Sequence, residues 1–422
     1  MTREDRPYVP RVVDAEIRRK LASMGVVVLE GAKACGKTAS GLEIAGSEVF
    51  LDVDADARRT IQLDPALVLQ GTTPRLIDEW QVEPRIWNHI RREVDARGQS
   101  GQFLLTGSAV PADDITRHTG AGRVARVRMR PLSLFESGDS SGAVSLRHLL
   151  AREDQGGAQA EIDLGRISVL LARGGWPGHL TRNDSAALDA NRAYLDEIRR
   201  TDIRRIDGVD RDPERVRRFL MSFARHVSTS AAMSAIAADV GGGDGPIQLQ
   251  TALEYAKSLT RLMVLEDQPA WAPHLRSRSR LRTSDKRHFT DPSLAVAALR
   301  ATPDRLLHDL EFLGLLFESL AIRDLRVYAQ AAEGVVFHYR DNTGLEIDAV
   351  VEAPEGWGGF EIKLGGDDAI ETAATSLLRF LDRIDTQKMG EPAVLAVITA
   401  VGRYAYQRED GVWVIPIGAL GP

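Results

Sequence analysis

The stretch Gly31-Ala32-Lys33-Ala34-Cys35-Gly36-Lys37-Thr38 decides how the first third of this chain folds. It is a complete P-loop pattern. Gly31 and Gly36 permit a tight turn, and the backbone N–H groups of residues 32–36 then point inward at phosphate oxygens. Lys37 reaches toward the β- and γ-phosphates, and the Thr38 hydroxyl takes a Mg²⁺ position. The flanks agree with this. Val26, Val27, Val28 and Leu29 form a short apolar run suited to a buried parallel strand, and residues 39–45 read as a helix. The N-terminus of that helix adds a dipole favourable to an anionic phosphate.

Composition bounds the rest. A chain of 422 residues with 43% apolar content calls for two to four ordinary globular domains. There is no apolar run of membrane-spanning length and no hydrophobic stretch behind Arg3, Glu4, Asp5 and Arg6, so no membrane partner and no secretion signal are expected. One cysteine, Cys35, excludes an internal disulfide framework and fits a reducing, cytoplasmic compartment. Its place in the loop allows redox control or simply a small residue at a variable position. With a net charge of −6, any contact to nucleic acid must use local patches. Two are visible. One holds Arg117, Arg123, Arg126, Arg128 and Arg130; the other holds Arg276, Arg278, Arg280, Arg282, Lys286 and Arg287.

A second nucleotide signature follows the loop. Leu76-Ile77-Asp78-Glu79 is two apolar residues and two acids at the end of an expected strand, the Walker B position. Asp78 there would hold Mg²⁺ through water, and Glu79 would polarise the attacking water. Residues 83–97 read as a helix with Ile86, Ile90 and Val94 on one face. Phe103-Leu104-Leu105-Thr106-Gly107-Ser108 reads as the next strand. Thr106 at its end senses the γ-phosphate or orients the water on one reading, and caps a turn on the other. Arg123, in the glycine-flanked stretch before the strand 124–129, is a candidate arginine finger or a solvated or DNA-facing cation.

The order of P-loop, Asp-Glu, Thr-Gly-Ser, Gly122-Arg123 and Pro131-Leu132-Ser133-Leu134-Phe135-Glu136 resembles prokaryotic AAA+-like ATPases that carry a C-terminal domain of unknown function. Arg173-Gly174-Gly175-Trp176-Pro177 and Lys286-Arg287-His288-Phe289-Thr290-Asp291 resemble further segments of that family, so the likeness runs through almost the whole chain. It implies ATP binding and an architecture. Asp291 itself reads as a helix N-cap.

Residues 137–165 are rich in Gly, Ser, Asp and Ala and read as a linker with a short helix near 146–151. Residues 213–270 suit a winged-helix unit with helices at 215–226, 231–239 and 247–262, a strand starting at Met263, and the basic run 276–287 as its wing. Only Lys257 and Arg261 are cations on the recognition-position helix, and the basic run suits a charge-protected edge strand equally well.

The C-terminal region carries another constellation. The apolar helix 312–322 contains Glu318, and strands are expected at 337–340, 345–351 and 359–364. Alternation puts Phe360, Ile362 and Leu364 on one side, so Glu361 and Lys363 share the other. Asp348 ahead of Glu361-x-Lys363 is the PD-(D/E)xK arrangement of Mg²⁺-dependent nucleases, with Ile347-Asp348 in place of Pro-Asp. By that resemblance Asp348 and Glu361 hold metal, Glu318 adds a helix-borne ligand, and Lys363 positions the nucleophile. A scaffold that binds DNA or a partner without cutting is the competing reading.

The expected fold class is therefore α/β multidomain. Residues 1–136 form an AAA+-like P-loop NTPase domain with a parallel sheet, 137–212 a linker and helical region, 213–300 a winged-helix-like region, and 301–422 a restriction-endonuclease-like α/β domain. The expected cofactors are ATP and Mg²⁺, the expected partner DNA, and a homo-oligomer fits. The expected function is a Mg²⁺-ATP hydrolase acting on DNA; the alternative is an ATP-dependent binding switch.

Overall fold

A computed structural model describes residues 8–107, 120–153, 157–241, 245–273 and 284–422. Ser108, Arg117, Gly242, Gly243 and the cations Arg276, Arg278, Arg280 and Arg282 lie outside the described residues. The chain divides into two compact units. One is Met1–Pro131 with Arg204–Val209 and Arg261–Met263; the other is Leu132–Ile203, Asp210–Thr260 and Val264–Pro422.

The first unit is built on five strands, β1 (Val26–Gly31), β2 (Ser47–Phe50), β3 (Arg75–Asp78), β4 (Phe103–Gly107) and β5 (Val124–Met129). All pair in parallel, in the order β2-β3-β4-β1-β5. Parallel sheets are covered on both faces, which is why β1 and β4 are buried almost throughout. Helix α1 (Asp14–Ser23) precedes the sheet, α2 (Lys37–Ile44) follows the P-loop, and α3 (Ile86–Arg97) crosses from β3 to β4. Ile86, Ile90 and Val94 are the buried stripe of α3, together with Trp87, as the 3.6-residue period requires. They join Val26, Val28, Ile77, Phe103 and Leu105 in one apolar core.

In the second unit a trio of helices follows Asp212: α4 (Pro213–Arg225), α5 (Met233–Asp239) and α6 (Leu249–Arg261). Phe219 of α4 packs edge-on against Tyr255 of α6, and Phe223 packs edge-on against Phe289. Among the described residues, the strand expected from Met263 is reduced to three isolated bridges, Leu265 with Phe289, Gln268 with Lys286 and Ala270 with His338. Two of the cations assigned to a solvent-facing wing turn inward. Lys286 is buried, and Arg287 pairs with Asp267 and donates to the Ala231 carbonyl.

Short helix α7 (Ser293–Ala298) and long helix α8 (Leu310–Ala331) lead into a seven-stranded mixed sheet. Its members are β7 (Ala158–Gln159), β8 (Val335–Arg340), β9 (Glu346–Ala353), β10 (Gly356–Lys363), β11 (Val394–Thr399), β12 (Tyr404–Gln407) and β13 (Trp413–Pro416), ordered β7-β12-β13-β11-β10-β9-β8. β8, β9 and β10 form an antiparallel meander. Helix α9 (Asp367–Leu381) then crosses over so that β11 pairs parallel with β10. A second small sheet pairs β6 (Val144–Ser145) with β14 (Leu420–Gly421). Both β6 and β7 come from the stretch expected to be a linker. Ser140 and Ser145 also donate to the carbonyls of Leu420 and Pro422, so this segment is woven into the C-terminal sheets. Its polar composition reflects side chains that bond to backbone at a sheet margin.

Candidate functional site

The P-loop turns sharply between β1 and α2. Ala34 and Gly36 both take positive φ, 61° and 105°, the second a value that a β-carbon opposes. At Gly31 a β-carbon would come 2.4 Å from the Met129 carbonyl oxygen and 2.8 Å from Cys35 Sγ, so the loop closes against β5 only with glycine there. Cys35 is buried under the loop, a packing position. Lys37 is buried at the start of α2 and donates from Nζ to the carbonyls of Gly31 (3.0 Å) and Ala32 (2.9 Å). The ammonium is thus held on the loop's own acceptors at its inner face.

Strand order then brings the second signature to the first. β4 lies between β1 and β3, so the ends of all three strands meet at one edge. Thr38 Oγ1 donates to Asp78 Oδ1 at 2.9 Å, and Thr106 Oγ1 donates to the same oxygen. Burial raises the Asp78 carboxyl above its ordinary range, and the Thr106 and Thr38 hydroxyls draw it back. Thr106 is fully buried, so it holds Asp78 in place. Glu79 follows in a left-handed conformation (φ 50°, ψ 44°) that is costly for a residue with a side chain and places it at the tip of the strand. Gln81 Nε2 donates to its carboxylate. Hard oxygen donors side by side at a P-loop suit Mg²⁺.

Arg123 lies away from the P-loop of its own chain. β5 runs parallel to β1 with Val26 opposite Val124 and Gly31 opposite Met129. The residue before β5 therefore lies at the edge opposite the P-loop, roughly 15 Å or more away along the strand. Arg123 pairs there with Asp95 of α3. Two residues that sequence reasoning passed over lie close to the loop instead. Arg11 donates to the carbonyls of Cys35 (2.8 Å) and Arg130 (2.7 Å), tying the loop to the end of β5. Tyr8 shares its hydroxyl between Asp14 and Ser40 of α2. A lone arginine or tyrosine ahead of the first strand carries no sequence signal for this.

In the second unit, Glu318 of α8, Asp348 of β9 and Glu361 and Lys363 of β10 do converge. Lys363 Nζ donates to Asp348 Oδ2 at 3.0 Å and to Glu361 Oε2 at 2.5 Å, as their shared strand face requires. The Ile362 N–H also donates to Asp348 Oδ2 at 2.9 Å. The centre holds a fifth member. Lys286 Nζ donates to Glu318 Oε1 at 2.8 Å and Asp348 Oδ1 at 3.3 Å. The carboxylates expected to hold metal, Glu318, Asp348 and Glu361, thus face ammonium groups here. One oxygen each of Glu318 and Glu361 and both of Asp348 bond ammonium groups, and among the described residues no group of three His, Cys, Asp or Glu side chains is arranged to hold a metal ion. The missed signal was alternation. Lys286, His288 and Thr290 are spaced by two in an extended segment, and all three are buried.

Electrostatics here are polarised by burial. Burial, and then the charge of Asp348, push Glu361 up to about 8. Burial raises Glu318 to about 7 against the pull of Lys286. Lys286 and Lys363 hold Asp348 well below the usual carboxylate range. The adjoining imidazoles are lowered by burial, His338 to about 4 and His288 well below its ordinary value. Above about pH 7.5 both histidines are neutral in the folded and unfolded chain alike. Between there and pH 8 the folded unit keeps the Glu361 proton that the unfolded chain has released. Stability of this unit is expected to fall as pH rises through that window, by at most about 1.4 kcal/mol per pH unit for one proton. Thermal unfolding followed from pH 7.5 to 8.5 should show the decline, and Glu361→Gln should flatten it.

Comparison with known proteins bears on the segment that holds the P-loop. Residues 23–137 match the AAA domain family. With the P-loop geometry, this likeness supports an ATP-binding P-loop ATPase. Residues 166–305 and 313–420 match two domains of unknown function, DUF8612 and DUF4143. No protein of curated function matches the chain. Among solved structures the chain is similar to a Walker-type ATPase of Pyrococcus abyssi at 13% identity, covering 70% of this chain and 99% of that one with a TM-score of 0.42. No described helix is long and apolar enough to cross a membrane.

Proposed function

We propose that the chain is a Mg²⁺-ATP hydrolase that works as a nucleotide-dependent binding switch, with its C-terminal unit binding DNA without cutting it. The observation that carries the reading is the meeting of Thr38, Asp78 and Thr106 at one sheet edge beside Lys37. The amides of residues 31–38 cradle the phosphates, and Lys37 leaves the loop carbonyls for the β- and γ-phosphate oxygens. Thr38 and Asp78 hold Mg²⁺, which when bound offsets charge on the transferred phosphoryl group. Thr106 fixes the rotamer of Asp78, and Glu79 orients the attacking water.

DNA is favoured as ligand by the antiparallel meander and crossover strand that carry Asp348, Glu361 and Lys363, a layout in keeping with a nuclease-like scaffold. The commitment of its carboxylates to lysines favours binding over cleavage. Filter binding with linear, branched and single-stranded DNA is expected to show saturable binding that changes at least tenfold on adding Mg²⁺-ATP, with no such change in Lys37→Ala. Mg²⁺-dependent cleavage of any of these substrates, lost in Lys363→Ala, would replace the switch with a nuclease.

A further inference from the structure

We infer that Lys286 is a resident cation that takes the place of a divalent metal in the C-terminal carboxylate cluster, making that cluster metal-independent. The side chain is built into the site. Its backbone exchanges both hydrogen bonds with Gln268, N–H to carbonyl at 3.0 Å and carbonyl from N–H at 2.8 Å. Gln268 in turn donates from Nε2 to the carbonyls of Phe337 (2.9 Å) and Asp348 (3.0 Å), and its Oε1 lies 3.2 Å from His288 Nε2. The segment bearing Lys286 is therefore locked to the strand bearing Asp348. With 4% of its side chain exposed, Lys286 has no route for its ammonium to water. Two of its three donors go to Glu318 and Asp348, on the side of Asp348 away from Lys363.

Two ammonium groups face the three carboxyl groups of the cluster. A divalent ion needs several oxygens at about 2.0–2.6 Å. Here Asp348 Oδ1 serves Lys286 while Asp348 Oδ2 serves Ile362 and Lys363. Insertion of a metal would force two buried like charges together, since Lys286 cannot leave.

The test is Mn²⁺ binding by the full chain without nucleotide, read by electron paramagnetic resonance. Wild type and Glu361→Gln are expected to bind Mn²⁺ alike, with no site that depends on the cluster. Lys286→Ala, and Lys286→Met as a variant that keeps the stem's volume, are expected to gain a Mn²⁺ site at least tenfold tighter than any in wild type. That site should disappear again when Asp348→Asn is added. If a Lys286 variant folds only with Mn²⁺ present, that is the same gain. A wild-type Mn²⁺ site lost in Glu361→Gln overturns the inference, as does a folded Lys286→Ala that binds no more metal than wild type. Should neither Lys286 variant fold under any condition, the comparison of wild type with Glu361→Gln decides alone. ATP turnover does not enter the test, so its outcome is separable from that of the proposed switch.

Discussion

Replacing Lys37 by alanine is expected to lower ATP turnover by at least about a hundredfold, the scale seen when a charge-stabilising donor is removed from a reacting centre. The geometry gives this variant an unusual clarity. Among the described residues, Lys37 Nζ bonds only the loop carbonyls of Gly31 and Ala32. It makes no bond to Asp78 or Thr38, which hold each other. Truncation therefore removes the phosphate-facing charge and leaves the Thr38–Asp78–Thr106 arrangement standing. Phosphate release under Mg²⁺-ATP saturation measures the loss. Circular dichroism should show an unchanged helix and strand content. Turnover within tenfold of wild type would mean that the loop is a structural turn.

The second large effect lies in the buried network around Arg323. This guanidinium is 3% exposed and donates to Asp291 Oδ2 at 2.8 Å and to Asp324 Oδ1 at 2.7 and 2.9 Å. The two carboxylates also hold main chain. Asp291 accepts from the N–H groups of Gly175 and Ser293, and Asp324 accepts from the Leu134 N–H. Three segments far apart in the chain, around residues 134, 175 and 291, are thereby pinned to α8. Arg323→Ala leaves two buried carboxylates without a counter-charge. Breaking such a set costs about 3–5 kcal/mol. Calorimetry should show the transition of the second unit moved down by several degrees. Arg323→Lys should recover only part of it, because a single ammonium cannot reproduce the fork that spans both acids. An unchanged transition in Arg323→Ala would show that the network contributes nothing net.

Legibility in the sequence followed the range of the contacts. The P-loop and the Asp78 strand end are contiguous signatures, and their register came out as the spacing implied because parallel strands stop at one edge. The face shared by Glu361 and Lys363 was readable from a two-residue period alone. Lys286 was hidden because its partners are 32 and 62 residues away, and its neighbours in sequence are arginines that suggest a solvated run. Arg323 was hidden in an apolar helix for the same reason. The sheet edge at which Arg123 lies was not readable, because a glycine-flanked loop shows where a chain turns, and only strand direction shows at which end of the sheet. Residues 137–165 looked like a linker because their polar side chains satisfy backbone at sheet margins, which composition does not distinguish from solvent.

Isothermal titration of the purified chain with Mg²⁺-ATP tests the central claim most directly. The account predicts saturable binding of one nucleotide per chain in wild type and none in Lys37→Ala. Heats indistinguishable from dilution in wild type, or equal binding in both proteins, would contradict it.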